Sequence, residues 1–259
     1  MSVLNELQQF GKKILSWLWL FIAAFGFFFA FGIKPINFQF SVFNFQLLIP
    51  VPNIESISTL FFKKIQQDLL IKEMSLIVTN PLDAVWAQIG ISLFLAFVLT
   101  LPFLLYKIAG FFSSALKKNE KRAVLKALIP CIILFIGGCL FAYFFIIPIT
   151  FKILYSYVLA MGAKPFFAIN QFVSLVLILI LGTGLLFLLP IFMVLMSRLK
   201  VVSPDTWKKN WRYAILASLI LTAIITPDGT GITMVLLALP LTILYGIGCV
   251  GSKRIGYRV

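Results

Sequence analysis

The chain has 259 residues, of which 61% are hydrophobic and 12% charged, against about 45–50% and about 25% in soluble domains. Its 28 Phe and 5 Trp beside eight acidic residues amount to more apolar surface than one soluble core of this length buries, and they exclude intrinsic disorder. The class is an integral membrane protein with net charge +14, and its lack of histidine removes Ser-His-Asp and Cys-His nucleophiles and His-held zinc or haem.

In chain order, an apolar run from Ile14 to Ile33 follows Lys12 and Lys13 and is rich in Trp and Phe. At about 20 residues it is long enough to span a bilayer. No small-residue cleavage site is evident, so it reads as a first span and not as a removable signal peptide. Residues 34–88 form the one long loop. Its irregular apolar-aromatic stretch, Phe38 to Val51, is punctuated by Pro50 and Pro52. Ile57, Leu60, Phe61, Ile65 and Leu69 then recur at helical spacing, with Lys63, Lys64, Gln67 and Asp68 opposite, which predicts a short amphipathic helix lying over the outer mouth of a bundle.

Five further charge-free windows follow: 89–106, 127–151, 172–196, 213–225 and 232–250. Helices are the expected form, because a segment in lipid must satisfy its own backbone polar groups. Continuous apolar runs, not period-two alternation, exclude a barrel. Residues 152–169 make a short second outer piece. The fifth window is short: its 13 or so residues reach about 20 Å against a hydrocarbon core of about 30 Å. The turn residues Pro227-Asp228-Gly229-Thr230-Gly231 join it directly to the sixth. A tight hairpin of short fifth and sixth helices, leaving the bilayer locally thin or tilted, is expected; frayed ends around an ordinary span remain the alternative. Cys131, Cys139 and Cys249 sit in apolar stretches without CxxC spacing and read as small buried hydrophobes.

Charge sets the orientation. The N-terminus, 107–126, 198–212 and 253–258 share 16 Lys/Arg and three acids, Glu6, Glu120 and Asp205. The opposite side holds six Lys/Arg and five acids, Glu55, Asp68, Glu73, Asp83 and Asp228. The sides therefore carry +13 and +1, and the positive-inside rule places both termini in the cytoplasm. The expectation is an all-α integral membrane protein of six transmembrane helices, N-in and C-in, forming a single polytopic domain.

The span interiors hold no ionisable residue, which argues against an ion-coupled transporter or proton pump. No GxxxxGK[ST] loop is present, so nucleotide-driven transport would need another subunit. The basic patches read as topology determinants and not as nucleic-acid sites. What remains is a few acids on a basic face. Glu120 lies within Lys117-Lys118-Asn119-Glu120-Lys121-Arg122, where its plain reading is a surface ion pair worth little. Its sharper reading is an anchor for a cationic peptide, through bidentate carboxylate–guanidinium pairing.

The stretch Phe111-Phe112-Ser113-Ser114-Ala115-Leu116-Lys117-Lys118-Asn119-Glu120-Lys121-Arg122 resembles F-x-x-P-x-L-x-x-x-E-[RK]-[RK], the first inner loop of the TatC family, the multispanning receptor subunit of the twin-arginine protein translocase. The long outer loop is most similar to archaeal members. Leu134-Phe135, Gly138, Phe141-Ala142-Tyr143-Phe144 and Pro148 resemble the family's third span. Arg212-Tyr213-Ala214 with Thr226-Pro227-Asp228 resembles R-Y-A…T-P-[P]-D, and Pro81-Leu82-Asp83 resembles the P-x-E that precedes span two. Leu239-Pro240 and Leu244-Tyr245 resemble the final span. Several ordered motifs at matching spacing make the likeness specific over residues 81 to 250.

The resemblance implies a non-enzymatic receptor and translocase subunit without cofactor or metal, in the cell membrane. It would bind twin-arginine signal peptides of folded cargo and work with single-span TatA-type, often also TatB-type, partners as a homo-oligomeric complex in the lipid bilayer. Transport would be driven by the proton-motive force. Phe111 and Glu120 fall on the family's signal-peptide contact positions. Glu6, in Leu4-Asn5-Glu6-Leu7, falls on the acid of its H-L-x-E-L-R N-terminus. Departures are Val3, Gln8 and Ser114 for the family His, Arg and Pro, and Gly246 for an acid in the last span. Leu188 stands for the acid of F-E-x-P in Phe187-Leu188-Leu189-Pro190, leaving Gln171 and Thr183 as the nearby polar groups. The alternatives are a secondary solute transporter and a structural or assembly membrane protein whose basic face binds anionic lipid.

Overall fold

The computed structural model describes residues 3–40, 43–52, 56–69, 75–112, 118–163, 166–226 and 231–256; the side chains at 3–10, 12–13, 33–52, 110–112, 118–123 and 255–256 lie outside that description. Ten α-helices, one π-helical turn and four strands follow one another among these residues. They fall into two compact units, Met1–Leu104 with Phe166–Ser174, and Leu105–Pro165 with Leu175–Val259.

In the first unit, α1 (Val3–Ala30) leads into β1 (Phe31–Phe40) and β2 (Phe43–Pro52). The stretch expected to be irregular is a ten-by-ten antiparallel hairpin with Phe31 opposite Pro52 and Phe40 opposite Phe43. Its register explains why. Asn37 faces Gln46 and Gln39 faces Asn44, while Ile36, Phe38 and Phe40 face Leu47, Phe45 and Phe43. Next to the turn, at 36–40 and 43–47, both strands alternate apolar and polar residues with period two, and there a one-residue slip would set polar positions against apolar ones. Pro35, Pro50 and Pro52 are tolerated because a two-stranded ribbon consists of edges, where a missing N–H leaves no ladder partner stranded.

The amphipathic helix is α2 (Ile57–Leu69). Ile65 and Leu69 are buried, Phe61 stacks on Phe94 at 6.1 Å, and Phe62 meets Phe172 edge-on at 6.5 Å. On its exposed side Lys64 pairs with Asp68 at 3.3 Å. Ser56 caps this helix, accepting the Thr59 N–H at 3.4 Å. The Gln88 amide donates both to Ser56 Oγ at 3.0 Å and to the Phe29 carbonyl at 3.2 Å. One side chain thereby ties the end of α1, the start of α2 and α3 (Asp83–Phe112). Trp17 Nε1 adds a bond to the Thr100 carbonyl at 3.3 Å. Strand β3 (Ser75–Ile77) pairs in parallel with β4 (Phe166–Ala168).

The second unit begins with the end of α3 and continues through α4 (Lys118–Phe141), a π-helical turn at Ala142–Ile146, and α5 (Ile147–Ala160). It takes up the chain again within α6 (Ile169–Leu186) and adds α7 (Leu189–Arg198), α8 (Pro204–Lys209), α9 (Trp211–Ile225) and α10 (Ile232–Gly256). Its fully buried side chains include Phe135, Ile146, Ile147, Phe151, Leu179, Met193, Leu237 and Leu241.

Among the described residues four helical stretches are long and apolar enough to cross a membrane: Asp83–Ala109, Val124–Ala160, Ile169–Arg198 and Ile232–Arg254. Ile14–Ala30 and Trp211–Ile225 are shorter apolar helices. The helix read from 127–151 runs on to Ala160, because one exposed lysine, Lys152, does not stop it. The sixth helix is not short: it has 25 residues, since the polar Ser252-Lys253-Arg254 end stays helical past the apolar window. The short member is α9, with 15 residues. Its buried face consists of hydroxyls. Ser218 bonds to the Ala214 carbonyl, Thr222 to Ser218 and Thr226 to Thr222, at 2.8 to 2.9 Å. Each Oγ is satisfied by its own helix four residues back, which leaves a slim face suited to close helix packing.

Candidate functional site

The inner loop read from sequence joins two helix ends of the second unit. Phe111 lies in the last turn of α3 and Glu120 is the third residue of α4. The chain between them, 113–117, and both side chains lie outside the described residues. Glu6 lies in the first turn of α1, in the other unit, with its side chain likewise outside the description. The backbone thus puts Phe111 and Glu120 on either side of one short connection.

The second basic segment of this unit is held by contacts that sequence reasoning missed. Ser203 caps α8, accepting the Thr206 N–H at 3.3 Å, and Pro204 occupies its first position, where no N–H is needed. Before it, α7 ends on Lys200 with φ 59°, a left-handed residue where glycine is usual. Trp207 Nε1 donates to Ser197 Oγ at 2.9 Å, and the Tyr245 hydroxyl donates to the Trp207 carbonyl at 2.6 Å. The two rings meet edge-on at 6.5 Å. Trp207 therefore pins α8 to α7 and α10 through two hydrogen bonds and a ring contact, each bond contributing about 0.5–1.5 kcal/mol net. The available signal was a single Trp in an otherwise polar, basic segment, Ser203 to Asn210. Asp205, the one acid among the described side chains of this unit, lies 4.0 Å from Lys253 and is largely exposed, so that pair contributes little.

The motif residues turn out to manage backbone geometry. At Gly138 a Cβ would lie 2.8 Å from Phe187 Cγ and 2.9 Å from the Gly184 Cα, and at Gly184 one would lie 2.7 Å from Cys139 Sγ. Glycine on both sides lets α4 and α6 approach backbone to backbone, which is how helices associate where lipid removes the hydrophobic drive. Tyr143 belongs to the π turn, where the Ile147 N–H reaches back five residues to the Ala142 carbonyl. Pro148 follows at the second position of α5. The widened turn takes up the clash that the proline ring would otherwise make with the carbonyl four residues back. Pro190 is accommodated by a tightened turn instead, at the break between α6 and α7. The Leu188 N–H bonds to Leu185 only three residues back, and the proline sits at the start of α7. Leu188, at the place of the family acid, is in that break. Pro240 lies inside α10.

Asp83 opens α3, its carboxylate accepting the Thr79 and Asn80 N–H groups at 3.1 and 2.9 Å; Pro81 is in the preceding turn. Arg212 lies over the Trp211 ring at 5.7 Å, and Tyr213 beside it is exposed, as aromatic residues are at a bilayer interface. Pro227 and Asp228 lie outside the described residues.

Of the two polar groups noted near the break, Gln171 is exposed and Thr183 fully buried. The Thr183 hydroxyl has no hydrogen-bond partner among the described residues. Among those residues no three His, Cys, Asp or Glu side chains gather as metal ligands, and the three cysteines are free thiols.

A family profile described as "Sec-independent protein translocase protein (TatC)" matches residues 4–240. The TatC protein of Aquifex aeolicus is 34% identical over 68% of this chain and 72% of its own length. That of Cenarchaeum symbiosum is 29% identical over 96% of this chain and 94% of its own. A solved structure described as "Crystal Structure of Twin Arginine Translocase Receptor- TatC" superimposes with a TM-score of 0.73 at 28% identity, covering 97% of this chain and 98% of that one. The ordered motifs, the helical membrane fold and these likenesses agree, and the chain belongs to the TatC family.

Proposed function

We propose that this chain is the signal-peptide receptor subunit of a twin-arginine translocase, with Glu120 as the carboxylate that pairs with the peptide's guanidinium groups. Family membership makes it a non-enzymatic, multi-pass membrane subunit of the Tat translocase. The observation that carries the proposal is the position of Glu120: a lone acid in the first turn of α4, flanked by Lys117, Lys118, Lys121 and Arg122. On such a face a cationic peptide is repelled everywhere except where a carboxylate accepts both guanidinium N–H groups. Phe111, at the end of the preceding helix, assists at the same connection, and Glu6 supplies the second acid. The chain crosses the cell membrane six times, with α1 and α9 as the short crossings and both termini cytoplasmic, as the +13 and +1 faces require. Several copies work with TatA-type single-span partners, and with a TatB-type partner where the system has one, to pass folded cargo, driven by the proton-motive force, and the sequence has no phosphate-binding loop for nucleotide.

Photocrosslinking of a twin-arginine peptide in membranes tests this reading. Loss of a charge-assisted pair, about 1.5–3 kcal/mol, predicts tenfold or greater loss of crosslinks in Glu120→Gln and Glu120→Ala. Undiminished, correctly sited crosslinking in both variants removes Glu120 from the role.

A further inference from the structure

Three apolar grooves lie side by side along the last turns of α10, and each has a cation at the same end. One, of about 350 Å³, is walled by Pro130, Leu134, Pro190, Val194, Ile247 and Gly251 and carries both Lys126 and Arg198. The next, about 470 Å³, follows Ile243, Ile247 and Gly251 to Arg254. The third, about 370 Å³, runs by Trp211, Thr242 and Gly246 with Lys208. Neighbouring grooves share Ile247 and Gly251, and then Gly246. The first is opened by glycine: at Gly251 a Cβ would sit 2.9 Å from Val194 Cγ2, and at Gly248 one would sit 2.6 Å from Met193 Sδ, so α10 lies close against α7 and the groove forms along their seam with α4.

Among the described residues Lys126, Arg198, Lys208 and Arg254 have no carboxylate partner, and the described acid of this unit, Asp205, lies 4.0 Å from Lys253. An apolar groove with two cations at one end, neither paired with a carboxylate among the described residues, fits a ligand with an anionic head and an apolar tail. A partner helix would fill the apolar part and leave the two cations unanswered, whereas basic pockets between membrane helices suit phospholipid head groups.

We propose that the groove between α4, α7 and α10 is a binding site for an anionic phospholipid, its phosphate held by Lys126 and Arg198 and an acyl chain laid along Leu134, Val194 and Ile247. The site shares α4 with Glu120, Lys126 standing six residues further along that helix. Its volume lies at the lower end of the range usual for small-molecule sites, which fits one chain and not a whole lipid. The flanking grooves ending on Lys208 and Arg254 take further lipids of the same charge.

The test is native mass spectrometry of the full chain, purified in neutral detergent and titrated with phosphatidylglycerol or phosphatidylcholine. Wild type should retain phosphatidylglycerol preferentially. Lys126→Gln/Arg198→Gln should bind its tightest copy about twenty-five-fold more weakly, each cation near an anionic head group contributing about fivefold. Lys152→Gln, an exposed cation outside the grooves, should match wild type. Ile247→Trp, which fills the channel and keeps both cations, should also lose that copy. Equal retention of the two lipids, or unchanged retention in the double variant, overturns the site. So do crosslinks from a photoreactive residue at Val194 that go to a protein partner and not to lipid.

Discussion

Gly138→Ala puts the close approach of α4 and α6 to a quantitative test. The new methyl carbon would lie 2.8 Å from Phe187 Cγ, 2.9 Å from Phe187 Cβ and 2.9 Å from the Gly184 Cα. Carbon atoms rest at about 3.5–4.0 Å, so the helices must separate by roughly 0.7 Å or more. None of the three obstructing atoms is the free end of a flexible chain. One is backbone, and the other two are the root of a ring that lies 5.6 Å from Phe141. Overpacking of this kind costs about 1–3 kcal/mol, against which alanine returns up to about 1 kcal/mol of helix propensity. Gly137 is the internal control, because a Cβ there meets nothing within 4 Å, so Gly137→Ala keeps the propensity gain alone. The two neighbouring variants should differ by about 2 kcal/mol, which for a chain of this size is about 4–8 °C in Tm. Heating the purified proteins in detergent and following the remaining monodisperse fraction by size-exclusion chromatography reads this directly. A Gly138→Ala protein as stable as Gly137→Ala would show that the helices are not in backbone contact there.

Tyr245→Phe removes the 2.6 Å bond to the Trp207 carbonyl and keeps the ring contact, so it should cost about 0.5–1.5 kcal/mol and speed amide exchange selectively over 199–210; exchange unchanged there would show that the hydroxyl does not hold the segment. Thr183→Val deletes a buried hydroxyl without a partner among the described residues at nearly constant shape. It should be neutral or stabilising by up to about 1 kcal/mol, and a clear fall in Tm would mean that the hydroxyl has an acceptor. The 15 residues of α9 reach about 22 Å against a hydrocarbon core of about 30 Å. Four added leucines should relieve the mismatch and the bilayer thinning it imposes, and so impair export of a twin-arginine reporter; normal export would separate helix length from function.

Local composition was enough for the membrane class, for the apolar windows beneath α1, α3, α4–α5, α6–α7, α9 and α10, and for the 57–69 helix. The resemblance to the TatC family, and not composition, singled out Gly138, Tyr143, Pro148, Pro190 and Pro240. A bilayer makes this possible, since each crossing must be apolar and must satisfy its own backbone hydrogen bonds, and both demands are written within about 20 consecutive residues. The hairpin at Phe31–Pro52 was missed: Ile36 to Phe40 and Phe43 to Leu47 do alternate, but an abundance of Phe and Pro masked the period.

Other features have no local signature. The facing glycines at 138 and 184 are 46 positions apart, and the tether from Trp207 to Tyr245 spans 38. The groove of Lys126, Arg198 and Gly251 draws on three helices. In lipid, association rests on van der Waals fit and on a few polar contacts between particular surfaces. That fit exists only once the helices are placed, so the sequence by itself determined what crosses the membrane, and the tertiary structure decided which faces meet.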